Sequence, residues 1–313
     1  MDAGVVLDLL AATLRISAPL LMAALGGIVS ERAGTFAVGL EGQMLTGAFF
    51  GVVATHLLSG FGAGMGVGAG LAASVAGGML MAAVVRVATV RFQAEHMVTG
   101  ISSNILAFGL TSFLLRAVSG GGAPIIRVPL LQPWEVPGLA ELPWIGPLLF
   151  RQPPLTYLAL ALVVPLTVFL GRTRAGLALR AVGENPVAAF AAGISPARVR
   201  GRAILAAGAL AGLAGAVLSL QQVGTFTDGM TSGRGYLALA AIIVGRWTPA
   251  GTLVACLMFG AAEAVSLRVQ AFSLPVSSYV VQMTPYVAAL LVLACLGRGA
   301  RMPAAIGQSL QRH

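Results

Sequence analysis

The chain contains no lysine; all nineteen of its basic residues are arginine. That excludes a GxxxxGK[ST] phosphate loop, whose lysine reaches the nucleotide phosphates. The chain therefore does not hydrolyse ATP through that motif. Charge is scarce altogether: only 9% of residues are charged, against about 25% in a soluble domain. A chain so poor in charge cannot coat itself with water, and its 58% apolar content and mean hydropathy of +0.92 make the bilayer its solvent. Cysteine is limited to Cys256 and Cys295, in separate apolar segments, and the three histidines His56, His96 and His313 are scattered. With no CxxC and no HExxH, metal and thiol chemistry have little support and no cofactor is expected. Both cysteines read as small buried hydrophobes. The start of the chain carries Asp2 and Asp8 instead of a basic region, so no cleaved signal peptide is read. The net charge of +9 does not indicate nucleic acid. Its arginines cluster at the ends of apolar segments, where the positive-inside rule places them.

What is present is a series of apolar runs. A helix needs about 20 apolar residues to cross a bilayer. Candidate spans are 5–29, 35–58, 61–85, 97–118, 154–171, 203–222, 250–270 and 276–297, with a shorter apolar piece at 235–247. The expected fold is an all-α polytopic transmembrane bundle of about 8–9 spans. The segment 119–153 holds seven prolines and the tryptophans Trp134 and Trp144. Its prolines oppose a long helix and its tryptophans suit a membrane interface, so it is expected outside the cell as an extracytoplasmic loop.

Residues 171–202 hold six arginines: Arg172, Arg174, Arg180, Arg198, Arg200 and Arg202. This bias marks the cytoplasmic side and orients the N-terminus outward and the segment from Arg298 inward. The loop is also patterned. Asn185 can cap a helix, Pro186 suits its first position and Gly193 stands where a C′ glycine would end it. A short capped helix on a basic loop looks like a docking element.

Two segments depart from a plain apolar span. Residues 31–50 carry Gly34, Gly39, Gly42 and Gly47 around Glu41, and residues 228–247 are similarly glycine-interrupted. Paired interrupted segments in corresponding positions of two pseudo-repeated halves point to a transport pathway, although close packing through small residues is the simpler reading of the glycines. Phe36, Glu41, Thr99, Asn104 and Tyr236 are the candidate pathway residues. Glu41 could instead bond to a helix end near the cytoplasmic interface, since few residues separate it from Arg32. Asn104 lies with Thr99, Ser102 and Ser103 in a polar patch that could also bond between helices. Glu263 and Arg268 stand five apart and do not favour a direct pair; Arg268 can snorkel outward. Gln221 and Gln222 close their span at the outer face, with water as the simplest partner.

Five strings together resemble one family: ERAGTFAVGLEGQMLTGA (31–48), HMVTGISSNILAF (96–108), LRAVGENPVAAFAAGI (179–194), ALAGLAGAVLSL (209–220) and GRGYLALAAIIVGRWTPAGTL (233–253). They are similar to permease subunits of bacterial ABC importers, in the branch of branched-chain amino acid, ribose and simple-sugar permeases, and most like those for nucleosides and related simple sugars. The resemblance implies a single type II ABC importer-like permease domain over 1–313 in the bacterial cytoplasmic (inner) membrane. It also implies partner ATPase subunits, an extracytoplasmic solute-binding protein and a second permease, most plausibly a different chain in a heterodimer, with a homodimer open. Arg180, Gly183, Glu184, Asn185, Pro186, Ala189 and Gly193 match the family's cytoplasmic coupling loop, which docks into the ATPase. Ala37 stands where the family commonly has Asn, so a substrate contact by that Asn would be lost here.

The leading expectation is a passive half-channel driven by partner ATPases. Nucleosides, then ribose-like sugars, then branched-chain amino acids are its expected solutes. An ion-coupled secondary transporter using Glu41 or Glu263 is the alternative, and the 171–202 loop argues against it. An intramembrane enzyme would need converging acid and base groups, and the sequence has only isolated carboxylates.

Overall fold

A computed structural model describes residues 3–118, 126–135, 145–271 and 302–308, with isolated positions between 283 and 294. The described residues are helical almost throughout. In order run α1 (Ala3–Arg32), α2 (Leu40–Leu58), α3 (Ala63–Arg86) and α4 (His96–Val118). A two-stranded antiparallel ribbon follows, β1 (Trp134–Glu135) against β2 (Arg151–Gln152), with α5 (Ile145–Leu149) between the strands. Then come α6 (Pro154–Ala161), α7 (Val163–Arg172), α8 (Arg174–Glu184), α9 (Pro186–Ala191), α10 (Pro196–Ala216), α11 (Arg234–Val244) and α12 (Pro249–Ala271). Helices α3 and α10 run on into π-helical stretches, Val87–Arg91 and Val217–Val223.

Among the described residues, six helical stretches are long and apolar enough to cross a membrane: Val6–Arg32, Gly64–Arg91, His96–Val118, Pro154–Arg172, Pro196–Val223 and Pro249–Gln270. The observed bounds agree with the expected spans, with three differences. The segment 33–39 is not helical, so α2 begins at Leu40 rather than at 35, and its Glu41, Gln43 and His56 make it too polar to count among the six. The span at Pro154–Arg172 is broken at Leu162, because Pro165 cannot donate to Ala161 and its ring crowds that carbonyl. The expected basic loop 171–202 is mostly helix: it contains α8 and α9, and Arg198, Arg200 and Arg202 belong to α10. Most of the expected span 276–297 lies outside the described residues, as do Trp144, Cys295 and Arg298.

Small residues set the helix spacing. A Cβ on Gly47 would stand 2.4 Å from the Cα of Gly212, and one on Gly78 would stand 2.1 Å from the Gly208 carbonyl oxygen. Helices α2, α3 and α10 therefore touch backbone to backbone, the arrangement that drives association where lipid removes the hydrophobic incentive. At one end of the bundle gather Arg32, Arg86, Arg172 and the residues of α8 and α9; this is the basic end. At the opposite end Arg268 meets Asp8 at 3.6 Å. Gln221 is not left to water there. Its Oε1 accepts from the Leu155 amide at 3.1 Å and its Nε2 donates to the Thr156 hydroxyl at 3.0 Å. Helix α4 starts with Glu95 accepting from the amides of Val98 and Met97, which holds that exposed carboxyl below the usual carboxylate range.

Overpacking a close-packed core costs about 1–3 kcal/mol or more. Gly212→Val is therefore expected to lower the melting temperature of the detergent-purified protein. Gly109→Ala, at a position whose Cβ would meet nothing within 4 Å, leaves it unchanged.

Candidate functional site

Helix α11 does not span the bundle. The chain returns from the opposite end through the non-helical stretch 224–233, in which Gly224, Gly229 and Gly233 all have positive φ, and α11 begins inside the bundle. Its N-terminus faces that of α2. The Glu41 carboxylate accepts from the Gly233 amide at 2.8 Å and from the Gly235 amide at 2.6 Å. A Cβ on Gly235 would stand 2.5 Å from the Glu41 nitrogen, so only glycine permits this approach. A carboxylate at a helix N-terminus satisfies open amides and complements the helix dipole.

Asn104 of α4 closes the cluster. Its Oδ1 accepts from the Gly42 amide at 2.8 Å, and its Nδ2 donates to the Val38 carbonyl at 2.9 Å and to the Tyr236 hydroxyl at 2.9 Å. Beside it Arg234 and Glu263 pair at 2.5 Å, and the Tyr286 hydroxyl donates to the Ser232 carbonyl at 2.5 Å. Asn104 is buried, whereas Tyr236 is 44% exposed.

Eleven helical residues rise about 16 Å, and α11 separates Glu41 from the basic end by that length. At its far end Trp247 donates its indole N–H to Glu31 at 2.5 Å, and its carbonyl accepts from the Arg32 guanidinium at 3.0 Å. Glu41 thus sits deep, and sequence distance from Arg32 misjudges its depth because 33–39 climbs without helical coiling. Of the five expected pathway residues the fold joins Glu41, Asn104 and Tyr236. Phe36 lies nearer the basic end, where its amide donates to His96 Nδ1 at 3.4 Å. These two, with Gln43, line a cavity of about 10 Å³, the room of roughly one water. Thr99 bonds to the Glu95 carbonyl in the first turn of α4 and does not join the cluster. Arg234 and Glu263 belong to the site, but the sequence reading did not pair them. An arginine opening an apolar piece and a lone carboxylate in another span were the available signal.

The short capped helix expected in the basic loop is α9. Asn185 Oδ1 accepts from the Ala188 amide at 2.9 Å, Pro186 is its first residue, and Gly193 with φ +83 closes it. The Gly193 amide bonds to the Phe190 carbonyl and that of Ile194 to Ala189, a Schellman ending. Val187 and Phe190 project outward, 56% and 61% exposed, while Ala189 is buried beneath them. Gly183 also faces the bundle, since its Cβ would meet the Arg32 carbonyl oxygen at 2.1 Å. Arg180, Glu184 and Asn185 lie along the same end.

The chain matches the family model described as "branched-chain amino acid transport system / permease component" over residues 9–296. It belongs to this permease family. The nucleoside ABC transporter permease protein NupC of Lactococcus lactis is 36% identical over 93% of this chain and 92% of its own length. The guanosine ABC transporter permease protein NupQ of Bacillus subtilis is 35% identical over 90% of this chain and 89% of its own. The putative glucose ABC transporter permease protein TsgC13 of Haloferax volcanii is 36% identical over 85% of this chain and 79% of its own. No solved structure matches significantly. The protein is thus a multi-pass cell-membrane permease subunit of an ABC transporter. These likenesses give the ion-coupled alternative no support.

Replacing Glu41 by Gln puts an NH2 group against one of two amides. An unsatisfied buried amide costs about 1–3 kcal/mol, so the Glu41→Gln permease is expected to melt at a lower temperature than the parent. An unchanged melting temperature would contradict the capping geometry.

Proposed function

We infer that this permease forms part of the solute pathway of an ATP-driven importer for nucleosides, closed at mid-depth by the polar cluster of Glu41, Asn104 and Tyr236. The observation that carries this reading is the meeting of two interrupted helices, α2 and α11, through Glu41. Discontinuous helices whose N-termini face each other near the bilayer midplane are a common way to build a transport site. The half-exposed Tyr236 and the Asn104 amide bonded to its hydroxyl suit a neutral, hydrogen-bonding solute that must be released again. The relatives named for nucleosides and guanosine favour that solute over the glucose of the Haloferax protein's name.

In this reading the basic end is cytoplasmic, the ribbon around β1 and β2 is extracytoplasmic, and the N-terminus faces out. The six long helices, α2, the half-span α11 and the 276–297 segment make nine spans in two related halves. A nucleotide-driven ATPase, a separate chain, docks on α9 through Val187 and Phe190, with Asn185, Pro186 and Gly193 setting the helix and Gly183 and Ala189 seating it against the bundle. A solute-binding protein delivers nucleoside from outside. The second permease is a different chain: L. lactis and B. subtilis each carry two permease proteins resembling this one, NupC with NupB and NupQ with NupP.

Cells expressing the complete transporter are expected to take up labelled guanosine with the proton gradient collapsed and ATP preserved. Loss of uptake under that condition would defeat the reading. Tyr236→Phe is expected to reduce uptake with little change in melting temperature, since it removes one partly exposed hydroxyl. Phe190→Asp on α9 is expected to remove the ATPase from the purified complex while the permease still inserts.

A further inference from the structure

The residues 302–308 lie at the basic end as a buckle over three separate parts of the chain. The Ala305 amide donates to the Gly183 carbonyl at 2.9 Å, and the Gly307 amide donates to the Gly34 carbonyl at 3.1 Å. The Ala304 amide points to the Glu184 carboxylate at 3.4 Å. Beneath the buckle lies Arg200 of α10, only 1% exposed. Its Nη1 donates to the Gln308 carbonyl at 2.6 Å, its Nη2 to the Ala305 carbonyl at 3.1 Å and its Nε to the Ala33 carbonyl at 3.2 Å. A buried guanidinium is costly unless it is hydrogen-bonded, and here each of its three nitrogens donates to a backbone carbonyl. The joint has no slack. A Cβ on Gly34, whose φ is +86, would stand 2.8 Å from Arg200 Nη2 and 3.3 Å from the Gly183 Cα.

The three parts differ in what they lead to. Gly183 and Glu184 end α8 and lead directly into α9. Ala33 and Gly34 begin the connector that lifts α2 to Glu41. Arg200 sits in the first turns of α10. We propose that the 302–308 buckle, locked by Arg200, is a mechanical link that carries displacement of the docking helix α9 into the α1–α2 connector and so to the Glu41 cluster. Arg200 acts as a positioning residue in it and touches no solute. Fixing α8, α10 and the connector to one another makes them move as a unit. Without the buckle, α9 would still hold its partner, but its displacement would be absorbed in the Gly183–Pro186 bend.

The inference rests on α9 being the ATPase docking helix. The test uses the complete transporter in vesicles and reads three quantities: ATPase retained on the purified permease, ATP hydrolysed, and guanosine accumulated. The variants are Arg200→Met, deletion of residues 302–313, and both together. Guanosine accumulated per ATP hydrolysed is expected to fall at least about fivefold in each single variant, the lower end of usual coupling factors, with ATPase retention unchanged. The double variant falls no further, because both changes cut one connection. A full transport-to-hydrolysis ratio in the deletion, loss of the ATPase from it, or multiplied losses in the double variant would each overturn the link. Should a variant fail to fold, Arg200→Lys and Gly307→Val decide instead. The first keeps the charge but not the three-way geometry, and the second strains the buckle at φ +71 without crowding any neighbour within 4 Å. An unaltered ratio in both also overturns it. If the parent permease retains no ATPase and Phe190→Asp changes nothing, the docking reading fails and not this one alone.

Discussion

A helix that stops inside a bilayer leaves backbone amides with no water to bond to, and each must find a partner within the protein. In this permease the Glu41 carboxylate meets that demand for α11, through the amides of Gly233 and Gly235. Much of the interior follows from that pairing. It requires Gly235 to be glycine and brings the first turns of α2 and α11 into contact. It also sets the place where Asn104 can bond to the Gly42 amide and Tyr236 together. A carboxylate used in this way is expensive to expose to hydrocarbon and is kept because two amides and a helix dipole stabilise its charge.

The other end of α11 is held by the same neighbourhood of the chain. Glu31 and Arg32, the last residues of α1, bond to the side chain and the carbonyl of Trp247. A stretch of about ten residues, from Glu31 to Glu41, therefore grips both ends of a helix about 200 positions away. Arg200 joins the same stretch at Ala33. The α1–α2 connector is thus the junction of the basic end and the interior polar cluster. An ABC permease has no motor of its own, and its helices can respond to one only if such junctions are stiff. Glycine-to-glycine packing among α2, α3 and α10 supplies stiffness in the membrane.

Much of the bundle was legible in the residues alone. Span positions follow from apolar run length, which the bilayer thickness fixes, and five of the long helices begin and end within a few residues of the apolar runs; α10 starts earlier, because its first turns carry Arg198, Arg200 and Arg202. Helix α9 was legible too. Its Asn185 cap, Pro186 start and Gly193 stop are local signals that act within one or two turns. The interrupted character of 31–50 and 228–247 showed in their glycines. Less legible was which glycines and polar groups meet. The pairing of Arg234 with Glu263, the burial of Gln221 against Leu155 and Thr156, and the inward face of Ala189 depend on neighbours that no local spacing reveals.

The sequence by itself determined the solvent, the helices, their approximate limits and the short capped helix α9, because hydropathy, capping and proline geometry are set by residues close along the chain. Only the tertiary structure decided the depth and partner of Glu41, the assembly of Asn104 with Tyr236, and the closure of residues 302–308 over Arg200. Those contacts join residues from 62 to nearly 200 positions apart. They form because packed helices must give each buried donor and acceptor a partner, and which one is nearest depends on how the whole bundle closes.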